Sequence, residues 1–293
     1  MKRLHTVLAL VLVFTLLPCF SVRVNAEAYE YSIEIETLAD TVEAKELNKY
    51  REKFLNYLNK QVKEERKASG NNAYRLLEPS DLDFTDNSRI SGIKKHSHYS
   101  EYEFSAAYDE FIQDAEADNY WCLNISKDNT LFDVEIFKSD TSEKYSDKAY
   151  KIGGGWYIKS CWLYLEEQNW TGPLIYDNRI IRANLENLLN KYEVKSENIK
   201  VVYTAIGKED YWSACAVVFV DDVAKYIYAD TFFIPDHRLE SDTPQKIRDI
   251  LSDSADELFS GSKASPAGTT DIYRLRHYNE IMSLFRLYEA YAE

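Results

Sequence analysis

His96 and His98 are the residues whose type and spacing come nearest to a metal site. Imidazoles at i and i+2 share a face only in an extended segment, because alternate side chains of a strand point the same way. A third ligand would have to come from afar, from Asp236 or His237. Lys94 and Lys95 next door disfavour a cation, so the spacing favours two solvated histidines ahead of a helix. Asp81, Asp83 and Asp86 offer oxygens for calcium. An EF-hand loop opening at Asp81 needs glycine and glutamate where the chain has Asp86 and Gly92, and a solvated acidic turn fits better.

Nucleophile and phosphate motifs are equally thin. Ser91-Gly92-Ile93-Lys94 has Ser-x-x-Lys spacing but lacks the partner motifs of that chemistry. Gly153-Gly154-Gly155 lacks the lysine and following helix of a phosphate loop, and it precedes a strand, so it marks a turn or bulge. There is no nucleophile elbow, zinc-protease helix, Walker loop or dinucleotide fingerprint. No catalytic residue is assigned and no cofactor is expected. Carboxylates are too numerous for an acid–base pair to be picked out by sequence.

Aromatics are the unusual feature, with 23 Tyr, 13 Phe and 5 Trp in 293 residues. Tyr120, Trp121, Trp156, Trp162, Tyr211 and Trp212 cluster on expected strands and are the candidate ligand-binding residues. Such a face on a sheet stacks on sugars or forms a protein interface. The competing reading is that alternate aromatics fill a sheet–helix core, because aromatics favour strands in any case.

These residues need elements to hold them. Residues 27–72 read as a short strand or tail, then a long amphipathic helix with Leu47, Phe54, Leu58 and Val62 on one face. The body, 73–259, opens with a polar irregular stretch to residue 100 and a helix over 101–117. A hairpin follows, turning at Lys127-Asp128-Asn129, then an aromatic strand from Trp156 to Leu165. The second half gives a helix over 178–192 and strands near 199–206, 212–220 and 224–233. Thr243-Pro244 starts another helix, 260–270 is a linker, and 271–293 is a terminal helix. The fold class is α+β, with antiparallel hairpins and meanders packed against helices. Segments 101–165 and 178–233 repeat an αβββ order, each with a Tyr-Trp pair opening a strand that runs into a tight acidic turn.

Charge and the chain's start bear on partners. The net charge of −14 argues against nucleic acid, whose phosphates this surface would repel. Residues 1–26 read as a signal peptide: Lys2 and Arg3, an apolar run from Val7 to Leu17, then Val24-Asn25-Ala26 at the cleavage position. That run is shorter than the roughly 20 residues of a bilayer span. Cys19 follows Pro18 where a lipid-attachment box needs a small residue, so no lipid is expected. Removing the leader leaves Cys122, Cys161 and Cys215, too few and too odd a number for a disulfide framework.

The expectation is therefore an exported protein without stable membrane insertion, with a bacterial cell exterior favoured. Its partner is an extracellular protein or glycan, bound without catalysis. The alternative is a secreted glycan hydrolase using two carboxylates. A cleft holding two acids about 5–10 Å apart, one with a raised pKa, would favour the enzyme, and a flat or convex aromatic face without such a pair would favour binding. The leader generates a direct test: intact mass of the secreted protein begins at Glu27, and a membrane-retained product that keeps Met1 contradicts it.

Overall fold

The computed structural model describes residues 29–98, 106–114, 116–139, 149–165, 177–208, 211–229, 242–249 and 274–291. The expected leader (1–26), linker (260–270) and most of the helix after Pro244 lie outside them. Among the described residues no helix is long and apolar enough to cross a membrane.

One sheet organises the chain. Its strands are β1 (Ser32–Ile35), β2 (Ile90–His98), β3 (Glu116–Lys127), β4 (Thr130–Lys138), β5 (Tyr150–Gly153), β6 (Trp156–Leu165), β7 (Asn198–Lys208), β8 (Tyr211–Val220), β9 (Val223–Ala229) and β10 (Arg274–His277). Nine of them lie in the order β10-β9-β8-β7-β2-β3-β4-β6-β5, and β1 pairs with β7 off this path. Tight turns close β3–β4 and β8–β9, where Asp128, Asp221 and Asp222 take positive φ of 50°, 53° and 62°. Short acidic side chains tolerate that left-handed region better than most residues.

The centre of the sheet departs from the expected antiparallel meander. One edge of β7 is shared end to end by two parallel partners. β1 covers Asn198 to Val201, and the last residues of β2 cover Tyr203 to Ile206. Where β1 ends, Thr37 bridges Ile93 and the Leu38 N–H donates to the Gly92 carbonyl at 3.0 Å.

Five of the described helices cover the two faces: α1 (Val42–Asn48), α2 (Arg51–Ser69), α3 (Tyr108–Asp114), α4 (Asn178–Lys191) and α5 (Tyr278–Glu289). On the front, α4 buries Ile181, Leu185 and Leu189 with Ile93, Val201, Tyr203 and Val218. On the back there are two clusters. Phe54, Leu58 and Val62 of α2 pack with Leu123, Val134 and Ile136, while α3 and α5 pack with Val202, Val217 and Phe219. Each such buried side chain contributes about 1.5–3 kcal/mol.

Several elements differ from the sequence expectation. The long N-terminal helix is two, because Lys49 caps α1 before α2 starts at Arg51. Residues 90–98, expected as irregular, form β2, and β10 precedes the terminal helix. The helix over the first hairpin is not the one expected at 101–117. Phe111 of α3 joins the β7–β9 cluster, and Trp121 lies in the cluster of α1 and α2. The hairpin β3–β4 has its covering helix, α2, on the back, whereas β8–β9 has α4 on the front, so the segments 101–165 and 178–233 are not one repeated unit.

The triple glycine is the β5–β6 turn, with φ of 142°, 60° and 83° at Gly153, Gly154 and Gly155. Tyr50 lies against it, so that a Cβ at Gly154 would sit 2.6 Å from the tyrosine oxygen. Gly154→Ala is expected to cost about 1–3 kcal/mol, or roughly 2–8 °C in melting temperature. A calorimetric scan showing no fall would remove the Tyr50 contact as the reason for glycine here.

Candidate functional site

The alternation of β4 places Asp133 and Glu135 on the front of the sheet, with Val134 and Ile136 behind. Cross-strand register extends each acid into a row. Ser91, Asn124, Asp133 and Trp162 face one another across β2, β3, β4 and β6, and the next row is Ile93, Cys122, Glu135 and Ser160. Along the first row exposure climbs from 0% at Ser91 through 6% at Asp133 to 46% at Trp162. The row therefore starts in the core and ends in solvent.

Glu135 is heavily partnered. Its Oε2 accepts from Ser160 Oγ at 2.8 Å and lies 3.7 Å from Lys159 Nζ, and its Oε1 is 4.0 Å from Lys95 Nζ. Lys95 is itself buried, and Lys159 donates to the Tyr120 hydroxyl at 2.9 Å. Both ammonium groups also sit over the Tyr120 ring, at 5.3 and 4.9 Å from its centroid. Burial alone would raise the Glu135 pKa. The charges of Lys95 and Lys159, with hydrogen bonds from Tyr120 and Ser160, hold it below the ordinary value.

Asp133 meets the opposite environment. Burial, then the Glu135 charge, pushes its pKa from 3.8 to about 8, against the pull of Lys95. Its Oδ1 has no hydrogen-bond partner among the described residues. At neutral pH one front-face carboxyl is protonated and its neighbour two residues on is ionised. Burial, with Asp133 behind it, also pushes the Cys161 thiol up to about 12 and raises Tyr164. All three described cysteines are free, with Cys122 and Cys215 buried on strands.

Two cavities open elsewhere. One of about 460 Å³ lies at the start of α4, with Asp40, Asn87, Asn178, Arg179, Arg182 and Glu186 in its walls. The Asp177 side chain caps that helix on the Arg179 N–H at 2.9 Å and pairs with the Arg179 guanidinium at 2.6 Å. The Asn178 N–H donates to Ser91 Oγ at 2.9 Å, tying the helix to β2. The other cavity, about 160 Å³, lies where β1 gives way to β2 along β7, with Glu34, Glu36, Lys94, His96 and Tyr108 around it. His96 Nε2 is 3.4 Å from Glu36 Oε2, and Lys94 Nζ is 3.3 Å from Glu36 Oε1. Burial works against the Glu36 charge, but His96 and Lys94 hold its pKa below the ordinary value.

The residues singled out by sequence are dispersed. His96 is buried, at the edge of the smaller cavity; the His98 side chain lies outside the description. No three His, Cys, Asp or Glu among the described residues converge on a metal position. Tyr120 joins the acid cluster, and Trp162 ends its row. Trp121 and Trp156 lie on the back under α1 and α2, where Trp156 Nε1 donates to Glu46 Oε2 at 3.3 Å. Tyr211 and Trp212 pair with Lys208 and Gly207 on β7, and their side chains are outside the description. The expected acidic turn is partly buried: Asp81 takes Lys127 and Arg89, both at 2.9 Å, while Asp83 and Asp86 accept from Thr85 and Ser88 in tight turns.

Sequence reasoning missed Asp133, Glu135 and Lys95. The signal was Phe132-Asp133-Val134-Glu135-Ile136, two acids on one face of an otherwise apolar strand. Comparisons with family models, curated proteins and solved structures find no match to this chain.

Asp133 sets a pH dependence. Its folded pKa lies above its ordinary value, so the folded state holds a proton the unfolded chain loses between about pH 4 and pH 8. Stability from this group is full below about pH 4 and declines as pH rises through about 8, with a loss of up to about 4 kcal/mol at pH 7. Asp133→Asn should raise the melting temperature at pH 7–8 and match the parent near pH 4. Equal melting curves at both pH values would show that Asp133 is not held protonated.

Proposed function

We propose that the protein is exported and binds an extracellular, acid-bearing glycan without altering it, in the cavity at the start of α4. The observation that carries this reading is the composition of that cavity. Its volume, about 460 Å³, is in the range of small-ligand sites. Its walls combine guanidinium, amide and carboxylate groups from Arg179, Arg182, Asn87, Asn178, Asp40 and Glu186. Planar donors and acceptors of this kind pair with vicinal hydroxyls, and an arginine takes a carboxylate in two parallel hydrogen bonds.

Arg182 is the anchor in this reading. Arg179 is engaged by Asp177 and by the Ser88 carbonyl, at 2.7 Å. Arg182 is exposed and has no ion pair among the described residues, so its charge is available to a ligand. Trp162, exposed on the front of β6, offers a stacking surface outside the cavity.

A glycan array probed with the processed protein tests the reading. Uronic-acid or sulfated glycans should be retained over neutral ones. Arg182→Ala should weaken retention at least about tenfold, with an unchanged melting temperature, because an exposed side chain contributes little to folding. An array without acidic hits, or equal retention by Arg182→Ala, rejects this site.

A further inference from the structure

The cavity at the start of α4 carries more negative charge than an acidic ligand can use. We propose that its ligand is zwitterionic: an amino-sugar glycan with a free ammonium beside its carboxylate, in which Arg182 takes the acid and Glu186 and Asp40 take the ammonium. This inference rests on the glycan reading of the cavity and narrows it.

Charge balance is the first argument. Of the two guanidinium groups in the walls, that of Arg179 is paired with Asp177 at 2.6 Å. Arg182, Glu186 and Asp40 also line the cavity and have no ion pair among the described residues. The cavity thus offers a ligand one positive group and two negative ones. A ligand that is only acidic would satisfy Arg182 and set its remaining charge against both carboxylates. The chain as a whole, at −14, adds to that repulsion. An ammonium on the ligand turns the repulsion into attraction, through hydrogen bonds between two charged groups, which are stronger than those from a neutral hydroxyl.

Placement is the second argument. Arg182 and Glu186 stand one turn apart on α4, where Cβ atoms are about 5–6 Å from one another. A cation ahead of an anion is the weaker order for pairing at this spacing, which leaves both charges open to a ligand. Ala183, in the wall beside them, has no side chain long enough to fill the space. Asp40 comes from the segment after β1. That segment is fixed to β2 by the Thr37–Ile93 bridge and by the Leu38 N–H on the Gly92 carbonyl. The start of α4 is fixed to the same strand by the Asn178 N–H on Ser91 Oγ. Charges held in place before a ligand arrives lose less freedom when it binds.

Carboxylates also accept from sugar hydroxyls, so hydrogen-bonding capacity alone does not separate a zwitterion from a plain acidic sugar. Charge separates them. N-acetylation keeps the ring, its hydroxyls and its carboxylate and removes only the ammonium. A glycan in its free-amine and N-acetyl forms is therefore the discriminating pair of probes.

The test uses the processed full chain at about pH 6, where an amine near electron-withdrawing oxygens keeps its proton as an α-amino group does. The probes are glucuronate–glucosamine oligosaccharides in free-amine and N-acetyl forms, glucosamine oligosaccharides without acid, and neutral glucose oligosaccharides. The free-amine acidic form should be retained about tenfold or more above the N-acetyl form, the value of one charge-assisted hydrogen bond. Glu186→Gln should narrow that gap, and Glu186→Gln with Asp40→Asn should close it. Retention of the N-acetyl form should not fall in either variant, a selectivity that a merely structural role would not give. Arg182→Ala should weaken both acidic forms. Equal retention of the two forms by the wild type, or a gap that survives in the double variant, overturns the inference and leaves the glycan reading standing. Glucosamine oligosaccharides retained as well as the zwitterion would show attraction to bulk charge and overturn it too. Retention of neither acidic form above neutral glucose oligosaccharides rejects the glycan reading itself, and the inference with it.

Discussion

The parallel edge of β7 is the constraint on which the architecture rests. Every other described pairing is antiparallel, and those pairings fall into two groups, β2 to β6 and β7 to β10. The last residues of β2 hold the groups together along one half of the β7 edge, and β1 fills the other half. Parallel partners cannot be joined by a tight turn, so the chain must travel far between them. Helices placed along that travel cover the sheet: α1 and α2 between β1 and β2, α3 between β2 and β3, and α4 between β6 and β7.

Apolar side chains cover only part of the front face. Over β7 and β8 the stripe of α4 meets Val201, Val218 and Tyr203. Over β3 and β4 the same face carries Asn124, Asp133 and Glu135, all buried. A buried Lys95 and Glu135 are tolerable only together, since removing either strands a charge in a medium that solvates it poorly. Asp133 avoids that penalty by keeping its proton.

Much of the fold was legible in the sequence. Apolar spacing marked α2 and α4, and alternation with an acidic turn marked both hairpins, because those elements bury one face and solvate the other. β2 was not legible, because Lys94 and Lys95 are consecutive charges and Lys95 points inward to an acid contributed by another strand. β10 is four residues long and runs directly into α5, so helical periodicity absorbed it. The candidate site was hidden for a related reason. Alternate acids on a strand look like a solvated face, and only cross-strand register shows that this face is covered. Residue type does not say which side of a sheet a ring occupies: Tyr120 and Trp121 are neighbours in sequence and lie in different cores.

The three described cysteines, all free, have a consequence in redox terms. Cys122 and Cys215 are buried on different strands and Cys161 is mostly covered, so in the folded chain none presents an accessible thiolate to an oxidant. In an oxidising compartment the native fold is itself the protecting group. A disulfide or a sulfenic acid recovered from this protein would thus record an episode of unfolding, or oxidation before folding finished, and the oxidation state of the chain becomes a log of its folding history.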